Sequence, residues 1–124
     1  MEGVLKVGTG TAEEFFERSV DRARRLDRGE RLTPTRSLTF ADPADLRRAM
    51  GKKRVEILQA IRRKAAGVSE RAAMLQRDRA AVNRDVRVLE ALGLVRTEWA
   101  ANPGHGKRKV VHPLADRYEL VTTI

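Results

Sequence analysis

The stretch from residue 67 to residue 95 constrains the fold of this chain more than any other. A short helix-forming segment is followed by a break at residues 76–78 and by a longer amphipathic segment that ends at Gly93. Three apolar residues of the longer segment, at i, i+4 and i+7, share one helix face: Val82, Val86 and Leu89. Asp78 is a preferred N-cap residue, and glycine is the preferred residue just past a helix end. The pattern therefore predicts two helices joined by a tight turn.

The opposite face of the longer helix carries side chains that could contact a nucleic acid duplex. An α-helix fits the major groove of B-DNA, where arginine can pair with guanine and asparagine with adenine. We predict a recognition helix over about residues 79–92, with these contact residues: Arg79, Ala80, Asn83, Arg84 and Arg87. Arg71 and Arg77, around the turn, are expected to hold phosphates. The alternative is that all these arginines are ordinary solvated positions of a surface helix.

A β-hairpin is predicted directly after this helix, over about residues 95–112. Its arms are residues 95–100 and 107–112, and its turn contains proline and two glycines. Four basic or titratable residues around the tip are predicted to contact the DNA backbone or the minor groove: His105, Lys107, Arg108 and Lys109. The alternative is a disordered basic loop. Trp99 could stack on a duplex, but a lone tryptophan in a hairpin more often covers a small core, and we predict that role.

The net charge of +9 is distributed unevenly along the chain. Residues 1–45 hold eight Lys and Arg against nine Asp and Glu, whereas residues 46–124 hold 18 against eight. This asymmetry indicates a polyanionic partner for the C-terminal part. The chain has no cysteine and no apolar run of the roughly 20 residues that a bilayer span needs. No secretion signal is recognised at the N-terminus, so we expect a cytoplasmic protein without membrane contact.

The remaining patterns predict an α+β fold, a winged helix-turn-helix with an N-terminal strand–helix extension. The extension, over residues 1–41, contains a strand at 4–7, a helix that begins at the capping box Thr11-x-x-Glu14, and a second short strand at 38–40. Residues 42–124 are predicted to form the DNA-binding domain and to begin with a helix at Asp42-Pro43. A helix over about 52–65 and a terminal strand over 118–124 complete it, and the terminal strand could pair with residues 4–7.

Two glycine-containing segments resemble nucleotide-binding loops without meeting their requirements. The first, Gly8-Thr9-Gly10, has Glu13 where a third glycine is needed, and no β-α-β unit is expected to follow. The second, residues 104–108, lacks the spacing and the hydroxyl residue of a phosphate loop. His105 and His112 have no obvious acidic third ligand for a metal ion. We therefore expect no cofactor, no metal and no enzymatic activity.

The run Asn83-Arg84-Asp85-Val86-Arg87-Val88-Leu89-Glu90-Ala91-Leu92-Gly93-Leu94-Val95 resembles the helix of prokaryotic winged-helix transcriptional regulators that are MarR-like in outline. The chain is most similar to a small group of DNA-binding proteins in which a strand, a helix and a segment like Leu38-Thr39-Phe40 precede the winged helix. The resemblance covers most of the chain and is strongest from about Phe40 to Val95. It implies sequence-specific binding of double-stranded DNA and transcriptional control.

Some members of that group resemble antitoxins that act beside a toxin, and there the near-neutral N-terminal part would bind the protein partner or dimerise. We expect a homodimer on a two-fold-related operator, because paired half-sites multiply a modest single-site affinity. Phe15, Phe16, Val20 and the terminal strands are candidates for its surface, although they could equally form an intramolecular core. A basic module that binds RNA or bulk DNA without sequence preference is a further alternative.

Overall fold

A computed structural model of the chain describes residues 3–104 and 106–121. Five helices and six strands form over these residues. The strands are β1 (Val4–Thr9), β2 (Thr35–Phe40), β3 (Ala66–Gly67), β4 (Val95–Ala101), β5 (Lys107–Pro113) and β6 (Arg117–Leu120). The helices are α1 (Ala12–Asp27), α2 (Pro43–Ala49), α3 (Lys52–Arg63), α4 (Val68–Met74) and α5 (Arg79–Ala91).

The predicted helix-turn-helix is formed by α4 and α5. Asp78 caps α5, because its carboxylate accepts a hydrogen bond from the Ala81 N–H at 3.2 Å. Gly93 ends the helix with φ +77°, and the Leu94 N–H donates to the Leu89 carbonyl at 2.9 Å. These contacts form a Schellman motif, which glycine favours because it has no Cβ to strain the left-handed conformation. Both ends of the longer helix are therefore determined by local residue chemistry.

The predicted hairpin follows α5 as β4 and β5, which pair antiparallel from Val95 opposite Pro113 to Ala101 opposite Lys107. The other edge of β5 pairs with the two-residue strand β3, which gives the sheet order β3-β5-β4. The hairpin is thus tied to the segment between α3 and α4. Together with α3, α4 and α5 it completes a winged helix-turn-helix, and the predicted α+β fold class is confirmed.

The second sheet joins the two ends of the chain. Its order is β2-β1-β6, and all its strands are parallel. The predicted pairing of the terminal strand with the first strand is confirmed, from Val4 opposite Arg117 to Val7 opposite Leu120. The predicted terminal strand also included residues 122–124, which lie outside the described residues.

The prediction that no β-α-β unit follows the first strand is wrong. The second strand begins at Thr35, three residues earlier than its pattern indicated, and it pairs in parallel with β1 across α1. A dinucleotide site is still disfavoured here, because the Thr11 side chain already accepts from the Glu14 N–H at 3.1 Å at the start of α1. The Glu14 carboxylate also lies beside Gly10, where it would repel a phosphate.

One hydrophobic core includes residues from both sides of the boundary predicted at residue 41. Leu5 and Val7 of β1 are buried in the same cluster as Leu46, Ile57 and Leu89. Helix α1, which precedes this boundary, contributes no buried residue to the core. Its Phe15 and Phe16 are 51% and 67% exposed, so they form no intramolecular core. Within the described residues, no helix is long and apolar enough to cross a membrane.

Candidate nucleic-acid interface

The longer helix of the helix-turn-helix is anchored on one side and open on the other. Val82, Val86 and Leu89 are at most 1% exposed. Ala80, Arg84 and Arg87, on the opposite face, are exposed to solvent. The helix is therefore held by its apolar side, and its polar side is accessible to a partner.

A groove of about 740 Å³ lies between the start of α4, the exposed face of α5 and the hairpin, and we call it the recognition groove. Seven residues predicted to contact DNA line it: Arg79, Ala80, Asn83, Arg87, Lys107, Arg108 and Lys109. Arg84 lies outside this groove, on the flank of α5 that faces α3. His105 lies outside the described residues. Residues up to 30 positions apart in sequence thus converge on one concave, basic surface.

Two side-chain contacts hold the hairpin against the helix-turn-helix. The Lys109 ammonium donates to the Asn83 side-chain oxygen at 3.2 Å, and Arg108 forms an ion pair with Glu70 of α4. Asn83 therefore connects α5 to the hairpin in the free protein, besides its predicted role toward adenine. These contacts position the basic side of the hairpin before any partner binds.

Arg71 is not available as a phosphate contact, which corrects the sequence prediction. Arg71 is only 4% exposed, and its guanidinium donates a hydrogen bond to the Lys64 carbonyl. Burial lowers the pKa of Arg71, and the charge of Glu70 acts in the opposite direction. The cause is helix geometry, because residue 71 follows the buried Val68 by three positions and so shares its face. The buried stripe of α4 was a signal that could have identified this position from the sequence.

Arg77 is also inside the structure rather than free to hold a phosphate. Its side chain is 15% exposed and forms an ion pair with Asp85 at 2.8 Å. Arg54 of α3 binds the other oxygen of the same carboxylate at 3.1 Å. Burial by itself would raise the pKa of Asp85, but the hydrogen bonds from Arg77 and Arg54 more than offset it, so the pKa is lowered.

This ion-pair network was missed by the sequence prediction, although it positions α5. Arg54 donates in addition to the backbone carbonyls of Arg48 and Ala49, at 3.2 and 3.0 Å. The network therefore joins the end of α2, the start of α3, the turn and the longer helix. A weak signal was present, because Asp85 is an acidic residue between Arg84 and Arg87 in the sequence.

Trp99 was predicted to cover a small core, and this prediction is wrong. The residue is 66% exposed and lines the recognition groove. It shares a strand face with the buried Val95, as the two-residue period requires. Four residues along a strand correspond to roughly 13 Å, however, and by Trp99 the hairpin has extended beyond the body of the protein. The aromatic ring is therefore presented to whatever occupies the groove.

Three charged or titratable side chains of the hairpin stem contact one another. His112 is in hydrogen-bond contact with Glu98 at 2.7 Å, and Arg96 contacts the same carboxylate at 3.3 Å. These two partners, His112 first, lower the pKa of Glu98. Across residues 3–104 and 106–121, no group of three or more His, Asp or Glu side chains could hold a metal ion.

Comparison with known proteins identifies a sequence family and several similar solved structures. The sequence model of the HVO_A0114 family matches residues 49–120. No curated protein matches the chain significantly. A "possible transcriptional regulator" from Methanosarcina mazei Go1 is similar with a TM-score of 0.49 and 14% identity, over 60% of this chain and 66% of that one. The chain thus spans just under two thirds of that protein.

A "transcriptional regulator homologue" from Pyrococcus horikoshii OT3 is similar with a TM-score of 0.43 and 25% identity, over 56% of this chain and 75% of that one. Both TM-scores are below 0.5, so neither protein's described role carries over to this chain. The interface must be interpreted from its own geometry.

Proposed function

This chain belongs to the HVO_A0114 family, and we propose that it is a sequence-specific, double-stranded DNA-binding transcriptional regulator. In this proposal α5 enters the major groove, and the β4–β5 hairpin contacts the backbone or the minor groove. The protein acts by binding and has no enzymatic role.

One observation carries the proposal, namely the asymmetry of α5. Its apolar face is fully buried, whereas Arg84 and Arg87 project from the opposite face with no ion pair among the described residues. The major groove is about 12 Å wide and admits one α-helix. Arginine side chains at such positions can make bidentate hydrogen bonds to guanine, which distinguish base pairs.

The recognition groove supports the same proposal. Lys107, Arg108 and Lys109 lie across it from α5, so a phosphate backbone that passes through the groove would contact cations on both walls. Glu70 is the acidic residue among those that line the groove, and Arg108 neutralises it. Trp99 adds a flat apolar surface against which a sugar or base could pack. The groove is therefore suited to a polyanion with a regular repeat.

Sequencing of the genomic fragments that the purified protein retains tests this function directly. A sequence-specific regulator is expected to enrich a few fragments and to bind them at least about a thousandfold more tightly than bulk DNA. Fluorescence anisotropy with labelled duplexes would measure both affinities at one salt concentration. Equal affinity for enriched and bulk DNA would contradict the proposal and favour the basic module without sequence preference. Preferred binding of RNA would contradict double-stranded DNA as the target.

We further propose that the protein is a homodimer that forms through α1. This helix is 16 residues long, and its apolar side chains Phe15, Phe16 and Leu26 are more than half exposed. Helix α1 has three large apolar side chains in contact with solvent and no buried residue. A partner that packs against the helix would remove these side chains from water. A second copy fits, because a two-fold axis brings the same helix onto itself.

The charges along α1 favour an antiparallel arrangement of the two copies. Its first half carries three glutamates against Arg18, and its second half and C-cap carry four arginines against Asp21 and Asp27. The glutamates are Glu13, Glu14 and Glu17, and the four arginines are Arg22, Arg24, Arg25 and Arg28. Antiparallel pairing places each acidic half against a basic half, and it also pairs opposite ends of the helix dipoles. Each copy would then present its own α5 to one half-site of a two-fold operator.

Replacement of Phe16 by Glu is expected to convert the dimer to a monomer, because a carboxylate would be buried in the helix pair. Light scattering after size-exclusion chromatography would measure the mass. Met74→Glu is the matched control, since Met74 is 69% exposed on α4, and it should leave the dimer intact. A wild-type protein that is monomeric at micromolar concentration would contradict the self-pairing. The same apolar face would then be assigned to a different protein, as the antitoxin alternative requires.

A further inference from the structure

A second basic groove lies on the other flank of α5, away from the hairpin. It is bounded by the end of α2, the start of α3 and one side of α5, and its volume is about 390 Å³. Six cationic side chains line it, and we call it the flank groove: Arg48, Lys52, Lys53, Arg54, Arg77 and Arg84. Its lining contains a single carboxylate, that of Asp85.

Asp85 does not balance this charge, because Arg54 and Arg77 already bind both of its oxygens, at 3.1 and 2.8 Å. Within residues 3–104 and 106–121, Lys52, Lys53 and Arg84 form no ion pair. The groove therefore carries an excess of positive charge that nothing in the described chain neutralises.

The first turn of α3 adds to this excess. It begins with Lys52 and Lys53 and contains no acidic residue, although the partial positive charge of a helix start disfavours cations there. The N-cap residue is Gly51, which has no side chain and therefore cannot accept a hydrogen bond from the N–H groups of the first turn. A Cβ at Gly51 would meet no atom within 4 Å, so packing does not require glycine at this position. A bound anion would remove the electrostatic conflict.

The position of the flank groove indicates what that anion is. A helix in the major groove lies between two phosphate backbones, one on each side. The hairpin cations face one flank of α5, and the flank groove lies on the other flank. Arg84 lies at the border between the flank groove and the face of α5 that is proposed to contact the bases. We propose that the flank groove holds a phosphodiester of the DNA strand opposite the hairpin, with Lys52 and Lys53 as its main cations. This inference rests on the proposed function.

A Lys52→Gln, Lys53→Gln double variant tests the assignment. Binding to an enriched duplex would be measured by anisotropy between 50 and 200 mM salt. Each phosphate contact contributes about 0.9 to the slope of log K against log salt, so the slope of the double variant is expected to be shallower by about 1 to 2. Affinity for enriched and bulk DNA should fall by a similar factor, because phosphate contacts are independent of sequence.

Arg62→Gln, Arg63→Gln is the matched control, because it removes the same charge from the exposed opposite end of α3. Its slope should stay close to that of the wild type, whereas Lys107→Gln, Lys109→Gln in the hairpin should make the slope shallower. Equal slopes for the two α3 variants would overturn the flank-groove assignment while the hairpin variant still supports DNA binding. If the wild-type protein does not bind DNA at all, the proposed function is overturned instead.

A second variant separates helix stability from anion binding. Gly51→Asp is expected to raise the thermal midpoint, since aspartate is a good N-cap for α3. The same variant is expected to weaken DNA binding at least tenfold, because its carboxylate would occupy the place of the phosphate. Unchanged or tighter DNA binding by this variant would overturn the assignment.

Discussion

An Arg84→Ala, Arg87→Ala double variant is expected to lose about 4 kcal/mol of binding free energy for an enriched duplex, since a bidentate contact to guanine is worth roughly 1–3 kcal/mol. Both side chains project from the exposed face of α5, so their loss removes contacts to DNA rather than to the core. Anisotropy titrations with enriched and bulk duplexes would measure the effect. Affinity for bulk DNA should fall much less, and the preference between the two duplexes should nearly disappear.

The control for this variant is Arg62→Ala, Arg63→Ala, which removes two exposed arginines from α3. It should retain the preference for the enriched duplex. Thermal unfolding should be the same for wild type and both variants within about 0.5 kcal/mol, as is usual for surface substitutions. Retention of full specificity by the α5 double variant would remove this helix face from the interface.

Replacement of Asp85 by Ala is expected to lower the free energy of unfolding by about 3 kcal/mol, since removal of one partner from a buried ion pair leaves uncompensated charge. Two guanidinium groups, those of Arg54 and Arg77, would lose their common carboxylate. Urea denaturation would measure the change. DNA binding should weaken as well, because the same network fixes α5 relative to α3 and the turn.

Asp45→Ala is the matched control, because the Asp45–Arg48 pair is exposed. Exposed pairs contribute about 0–1 kcal/mol, so this change should be small. An Asp85→Ala variant as stable as Asp45→Ala would contradict the structural role of the network.

The lowered pKa of Asp85 also predicts a pH dependence of stability. Because the folded-state pKa lies below the ordinary value of 3.8, the stabilisation by the ionised carboxylate is fully present above that value. It is lost as the pH falls through the lower, folded-state pKa. The difference in unfolding free energy between wild type and Asp85→Asn should therefore shrink below about pH 4. A difference that does not change with pH would contradict the shift.

The helix-turn-helix was predictable because its signals are local. Asp78 caps α5 through a contact three residues away, and Gly93 ends the helix through its own backbone conformation. The spacing of Val82, Val86 and Leu89 identifies the buried face without knowledge of what covers it. For the same reason the exposed positions of Ala80, Arg84 and Arg87 followed from the helical period alone.

The wrong predictions concern residues whose environment depends on how several elements pack together. Arg71 and Arg77 have side chains that usually lie at the surface, yet the Lys64 carbonyl and Asp85 bind them inside the structure. Trp99 is on the strand face that starts in the core, but the hairpin extends past the body before that position is reached. The β-α-β unit was missed because parallel pairing of β1 and β2 joins segments 31 residues apart.

The sequence by itself determined the helices, their caps, the hairpin and the basic character of the C-terminal part, because each of these depends on neighbouring residues or on a short period. Only the tertiary structure decided that Arg71 and Arg77 lie inside the protein, that two basic grooves flank α5, and that α1 has an exposed apolar face. The physical reason is that exposure and ion pairing are properties of several elements packed together. Residue type and spacing describe one element at a time.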